Sequence, residues 1–144
     1  MRDEIPTEDD WHSEQWDFLE IPYAHKSFAG KSIEEATELF AANALSRQED
    51  LCWMPVACLR YYIQAYVAYL LSDDSKADAD AASAFFSLIK LRHKDIHGFD
   101  DEVTSHIAGA LRHLSTNQSW YDADEEIYGD FVEHAQRSLK LIER

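Results

Sequence analysis

At 144 residues the chain has the length of one domain, enough to bury a core without disulfides or bound metal. Hydrophobic residues make up 46% of it, with Trp 4, Tyr 7 and Phe 7, which excludes a disordered chain. Its 28 Asp and Glu against 13 Lys and Arg leave a formal net charge of -15, which repels nucleic acid and anionic membranes and favours basic proteins or cations as partners.

Four Gly and three Pro punctuate the sequence and no run alternates with period two, so the chain reads as all-α. Thr7 followed by Asp10 resembles a capping box after Pro6 and predicts a helix to about Glu20, ended by Pro22, with Trp11, Gln15 and Phe18 on one face. A loop is expected through Tyr23, His25 and Phe28. Ser32 with Glu35 forms a cleaner capping box for a helix from Ile33 to about Leu45, whose inner face is Ala36, Leu39, Phe40 and Ala44. Residues 47–54 read as a connector or a single helical turn, and Pro55 stands where a first-turn proline is tolerated.

The segment at about 55–72 is the central helix. Val56, Leu59, Ile63, Val67 and Leu70 fall on one face and Tyr62, Tyr66 and Tyr69 form a second stripe. Ala57, Ala65 and Ala68 would admit another helix closely, which leaves Arg60 and Gln64 as a narrow polar strip where Arg60 needs a carboxylate partner.

The turn 73–80 leads to a helix from about Ala79 to His97, with Ala82, Phe85, Phe86 and Ile89 inward, Lys90, Arg92 and Lys94 opposing the dipole, and Gly98 as the stop. Asp100 caps the next helix, whose Val103, Ile107, Ala110, Leu111 and Leu114 keep the 3.6-residue period. One last helix is expected from about Asp124 to Ile142, burying Ile127 or Tyr128 with Phe131, Val132, Ala135, Leu139 and Ile142. The whole predicts a single helical domain over 1–144, an antiparallel bundle of five to six helices around the 55–72 helix with the acidic 1–22 helix packed on it.

Cys52 and Cys58 fit neither a metal knuckle nor a disulfide framework and read as reduced, buried thiols of a cytoplasmic protein. The acidic start MRDEIPTEDD lacks the apolar stretch of a secretory signal. Val56 to Leu71 contains Arg60 and Gln64 and falls short of the roughly 20 residues a membrane span needs, so no membrane partner is expected.

Motifs of chemistry fail on spacing. Ala29-Gly30-Lys31-Ser32 copies the tail of a phosphate-binding loop, but His25 stands where the first glycine belongs, so Gly30 reads as a turn residue and Ser32 as a cap. His93 and His97, Glu102 and His106, and Asp130 and His134 are each four apart and able to share a helix face. A metal-binding bundle or metal-dependent hydrolase built on His93, His97, Glu102 and His106 is the alternative reading, although carboxylate-bridged sites use Glu-x-x-His, which none of these pairs has. A homo-oligomer joined through the tyrosine stripe is a third. No cofactor is called for.

Carboxylates at helix starts, such as Glu34, Glu35, Asp78, Asp80 and Asp100 to Glu102, are explained by the helix dipole. The chain's ends are not. Acids crowd residues 1–20, and Asp122, Asp124, Glu125, Glu126, Asp130 and Glu133 lie between Arg112 and Arg137 with no base among them. If the terminal helices are neighbours, Trp11, Trp16, Asp17, Trp120, Tyr121, Asp122, Asp124, Glu125 and Glu126 would form a partner-binding face, with charge for encounter and aromatics for affinity. The competing expectation is that these tryptophans anchor the end helices to the core.

Gly30-Lys31-Ser32, Glu35-Ala36, Leu39-Phe40, Glu49-Asp50-Leu51, Trp53-Met54, Tyr61-Tyr62, Ala65 and Tyr69-Leu70 together resemble small helical bacterial proteins, mostly uncharacterised, over about residues 28–90. Some similar small acidic proteins are immunity proteins that neutralise secreted toxins. The resemblance implies a helical fold and a non-enzymatic, toxin-binding role, and it assigns no functional residue.

Overall fold

Capping chemistry sets where the helices begin. In the computed structural model, which describes residues 4–12 and 20–143, Thr7 N donates to Asp10 Oδ2 at 2.8 Å while Asp10 N donates to Thr7 Oγ1 at 3.4 Å. This box opens α1 (Glu8–Trp11). The expected continuation through Gln15, Trp16, Asp17 and Phe18 lies outside the described residues.

The loop expected around Pro22 is instead α2 (Glu20–Phe28). Pro22 lies within α2 and the helix runs on past it to Phe28, so Tyr23, His25 and Phe28 are helical and not in a loop. His25 Nε2 lies 2.9 Å from Glu8 Oε2 and ties α2 to α1.

Gly30, at φ 78, turns the chain, and the Ser32–Glu35 capping box opens α3 (Ile33–Trp53). The helix continues past Leu45 because Asn43 (φ -162, ψ 86) breaks it and restarts it: Asn43 Oδ1 accepts from Ser46 N at 3.2 Å. Residues 47–53, read as a connector, are therefore helical.

Pro55 is the N-cap of α4 (Val56–Leu71), and a 3-10 turn at Asp73–Ser75 follows. Asp78 Oδ1 accepts from Ala81 N at 3.2 Å to open α5 (Ala79–Ile96), and Asp100 precedes α6 (Asp101–Ser115). The single last helix expected from Asp124 is two, α7 (Glu125–Tyr128) and α8 (Phe131–Ile142). Gly129 at φ 80 breaks the run and Asp130 Oδ1, accepting from Val132 N at 2.9 Å, restarts it. That break turns Ile127 (73% exposed) and Val132 (46%) outward, and Ser138, not Val132, joins Phe131, Ala135 and Ile142 on the buried face.

Among the described residues there is no strand, and the helices share one buried core. Along α4 pack α3 on one side and α6 on another, with α1 across it; α5 lies against α3, and α8 closes over α5 and α6. On α4, Leu59, Ile63 and Leu70 are fully buried, as are Tyr62 and Tyr66. The tyrosine stripe is thus core and presents no exposed surface. Ala57 and Ala68 do not admit a helix as expected; they face solvent beside Arg60, and Gln64 is buried with its Nε2 3.3 Å from Arg60 O.

Each buried tyrosine hydroxyl joins α4 to another segment, as buried O–H groups require. Tyr62 Oη lies 2.7 Å from Phe28 O and 2.8 Å from Lys31 O, Tyr66 donates to Ala81 O at 2.6 Å, and Tyr69 donates to Asp78 Oδ2 at 2.6 Å. Tyr61 Oη accepts from Ile33 N at 3.2 Å. Burial pushes the phenols of Tyr62 and Tyr66 far up, so they are fixed neutral donors.

Two arginines complete the frame. Arg60 finds the carboxylate its polar strip called for: its Nε donates to Asp100 Oδ1 at 2.9 Å. Arg92, expected to oppose the dipole of its own helix, is buried and serves α3 instead. Its Nη1 reaches Leu51 O (3.0 Å), Cys52 O (3.1 Å) and Met54 O (2.8 Å), and its Nε donates to Asp95 Oδ2 at 2.8 Å. The carbonyl of Leu51 needs such a donor because the residue four positions on is Pro55, which has no N–H.

Candidate functional site

One acidic patch forms where the 73–80 turn meets the 117–130 segment. Ala77 N donates to Trp120 O at 3.1 Å and Tyr128 Oη donates to Asp80 Oδ1 at 2.7 Å, which locks the two stretches side by side. Both turn sharply through left-handed residues, Ala77 at φ 65 and Asp122 at φ 59. Asp124 Oδ1 accepts from Glu126 N at 2.9 Å and opens the short α7.

The result is an exposed run of carboxylates, Asp73, Asp74 and Asp80 from one segment and Asp122, Asp124, Glu125 and Glu126 from the other. Among the described residues none of the last four has a cationic partner. Tyr128 is raised above the ordinary tyrosine value, first by its hydrogen bond to Asp80 and further by the charges of Asp78 and Asp122. Tyr69 is raised by burial, then by its bond to Asp78. Amid these charges Ile127 is 73% exposed.

The expected partner-binding aromatics are placed differently. Trp11 is 0% exposed, with its ring 5.3 Å from His25 edge-on and 6.2 Å from Tyr62. Tyr121 is likewise 0% exposed and its hydroxyl donates to Leu70 O in the last turn of α4. Neither is a surface anchor: Trp11 holds α1 on the bundle and Tyr121 pins the 117–123 loop. Trp120 is half-buried against the Tyr121 ring, centroids 4.9 Å apart. Trp16 and Asp17 lie outside the described residues.

Asp122, Asp124, Glu125 and Glu126 do stand exposed together, but their acidic neighbours are those of the 73–80 turn. α1 rests on α4 and α2, while α8 rests on α5 and α6. Sequence reading assigned Asp78 and Asp80 to a helix start, which they do serve. The segment DDSKADAD was the available signal, and its pairing with residues 120–128 is a tertiary fact.

The histidines of the metal alternative do not converge. His93 and His97 have ring centroids 5.9 Å apart, and His97 Nε2 lies 2.6 Å from Leu141 O. Glu102 and His106 are exposed on α6, and Asp130 caps α8. Among the described residues no three His, Cys, Asp or Glu side chains are grouped to hold a metal ion. The Cys52 thiol is pushed up to about 11 by burial and Cys58 is buried, so neither is poised as a nucleophile.

No protein-family model, curated protein or solved structure matches the chain. Its surface is therefore read from its own chemistry. Among the described residues no helix is long and apolar enough to cross a membrane. One feature escaped the sequence entirely: a groove of about 780 Å³ between α5 and α8, lined by residues of opposite character to the acidic face, among them Lys90, Arg137 and Lys140. These bases are spread over fifty positions and only the packing of α8 on α5 unites them.

Proposed function

We propose that this protein is a non-enzymatic binding module that captures a basic protein through the face formed by residues 73–80 and 122–127. The supporting observation is the exposed Ile127 set among Asp122, Asp124, Glu125 and Glu126, carboxylates without cationic partners among the described residues. Unpaired carboxylates accelerate encounter with a positive surface, and an apolar side chain at their centre supplies contact once water is excluded. The segment is held by backbone and tyrosine hydrogen bonds, so it meets a partner preorganised. The resemblance of residues 28–90 to small acidic helical bacterial proteins, some of which neutralise toxins, makes a basic secreted toxin the partner class.

The test uses immobilised wild-type protein and the variant D122N/D124N/E125Q/E126Q, in which the amide introduced at position 124 can still cap α7. A basic protein retained by the first should associate with the second at least tenfold more slowly, with a flatter dependence on salt. Ile127→Ser should speed dissociation and leave the salt dependence unchanged. Equal association rates for wild type and the four-site variant would rule out this face.

A further inference from the structure

The groove between α5 and α8 is chemically foreign to a chain of net charge -15. Lys90 on α5 and Arg137 and Lys140 on α8 line it, and among the described residues no carboxylate does. Lys90 and Lys140 form no ion pair among the described residues, and Arg137 reaches only Glu133 on its own helix at 3.4 Å, with both side chains more than half exposed. Such a pair is worth little and leaves the guanidinium available.

Hydroxyls line the same walls. Ser83 and Ser87 face it from α5 and Ser138 from α8, and none of the three is hydrogen-bonded to a described residue, although Ser138 is only 4% exposed. His93 also lines the groove, and its Nδ1 is shielded from water with no partner among the described residues. A ligand in the groove does not reach that nitrogen, so His93 adds ring surface to the wall and no hydrogen bond. The apolar part of the wall is Phe86, whose ring lies 5.3 Å from that of His134, together with Leu141.

We infer that this groove binds a small organic phosphate. Three dispersed cations and three free hydroxyls exceed what a monocarboxylate can use, whereas a phosphoryl group offers a charge near two and three acceptor oxygens. Phe86 and Leu141 then take a ring or short apolar body attached to it, and the volume suits a ligand of ordinary small-molecule size. The groove is separate from the Ile127 face, although Tyr128 touches both, so either function can stand without the other.

Phenyl phosphate, titrated into ¹⁵N-labelled full-length protein, should give saturable shifts at Ser83, Ser87 and Ser138. Inorganic phosphate should bind at least several-fold more weakly, since it lacks the ring. K90E/R137E should weaken phenyl phosphate at least tenfold with an unchanged far-ultraviolet spectrum, because both side chains are on the surface, whereas Lys26→Glu, remote from the groove, should leave it unaltered. Ser138→Ala, which removes only an oxygen, should weaken it several-fold. Non-saturable shifts, equal affinity for the two phosphates, or undiminished binding by K90E/R137E would overturn the assignment. So would shifts caused by phosphatidylglycerol vesicles and not by phenyl phosphate, since the phosphate would then be that of a lipid surface.

Discussion

Arg92 donates from Nη1 to the carbonyl of Met54 at 2.8 Å, across the gap between α5 and the end of α3. The same nitrogen lies 3.0 Å from Leu51 O, so one side chain ends a helix that proline has deprived of a donor. Arg92→Met should fill the space yet leave these carbonyls unsatisfied, at a cost of about 3 kcal/mol. Arg92→Lys should recover part of it, because an ammonium cannot reproduce the planar fork. Urea denaturation of the two variants checks both values.

Asp100 and Arg60 give a prediction in acid. The Arg60 hydrogen bond holds the Asp100 carboxyl below its ordinary value of 3.8. A folded-state value below the unfolded one means the contribution is present above 3.8 and is lost as the pH falls through the lowered folded value. Arg60→Met should therefore lower stability at neutral pH and flatten its decline in the acid limb, as thermal melts from pH 7 to pH 2 would reveal. A variant whose acid limb matches wild type would show that the pair does not govern it.

Gly129 separates α7 from α8 at φ 80, and a β-carbon there would lie 2.6 Å from His134 Nε2. That nitrogen is itself engaged, 2.9 Å from Tyr128 O. Gly129→Ala must strain the backbone and displace the imidazole, which should cost about 1 to 3 kcal/mol. A lowered melting temperature, with His134 shifts in the NMR spectrum, would be the outcome; an unchanged melt would mean the break relaxes freely.

How far the chain could be read depends on whether the deciding interaction was local. Ser32 with Glu35, Thr7 with Asp10, and the period of Val103, Ile107, Ala110 and Leu114 act within a few residues, and each appears as expected. Arg60 was legible as needing a carboxylate because its surroundings on α4 are apolar; that the carboxylate belongs to Asp100 was not. Pro22 was read as a stop and the break at Gly129 was not foreseen. A proline within a helix and a proline past a last turn look alike in sequence, and a glycine within a helical period shows its left-handed φ only in the fold.

The candidate surfaces were least legible. Trp11 and Tyr121 look like anchors for a partner because acids surround them, but a large ring beside charges can equally turn inward, and both do. The acids at 122–126 were visible; their joining to Asp73, Asp74 and Asp80 follows from the bonds between Ala77 and Trp120 and between Tyr128 and Asp80.

The course of α5 has one further consequence. It begins with Asp78 and Asp80 at the acidic face and carries Lys90 and Lys94 towards its other end, where Arg92 is neutralised by Asp95, so at ~1.5 Å per residue opposite charges stand roughly 20 Å apart on one helix. This helix is thus polar from end to end within a chain of net charge -15. In dilute salt, where screening extends beyond ~10 Å, a positively charged body meets attraction at the Asp80 end of this helix and repulsion at the Lys90 and Lys94 end, so the charges along α5 favour approach from the acidic end.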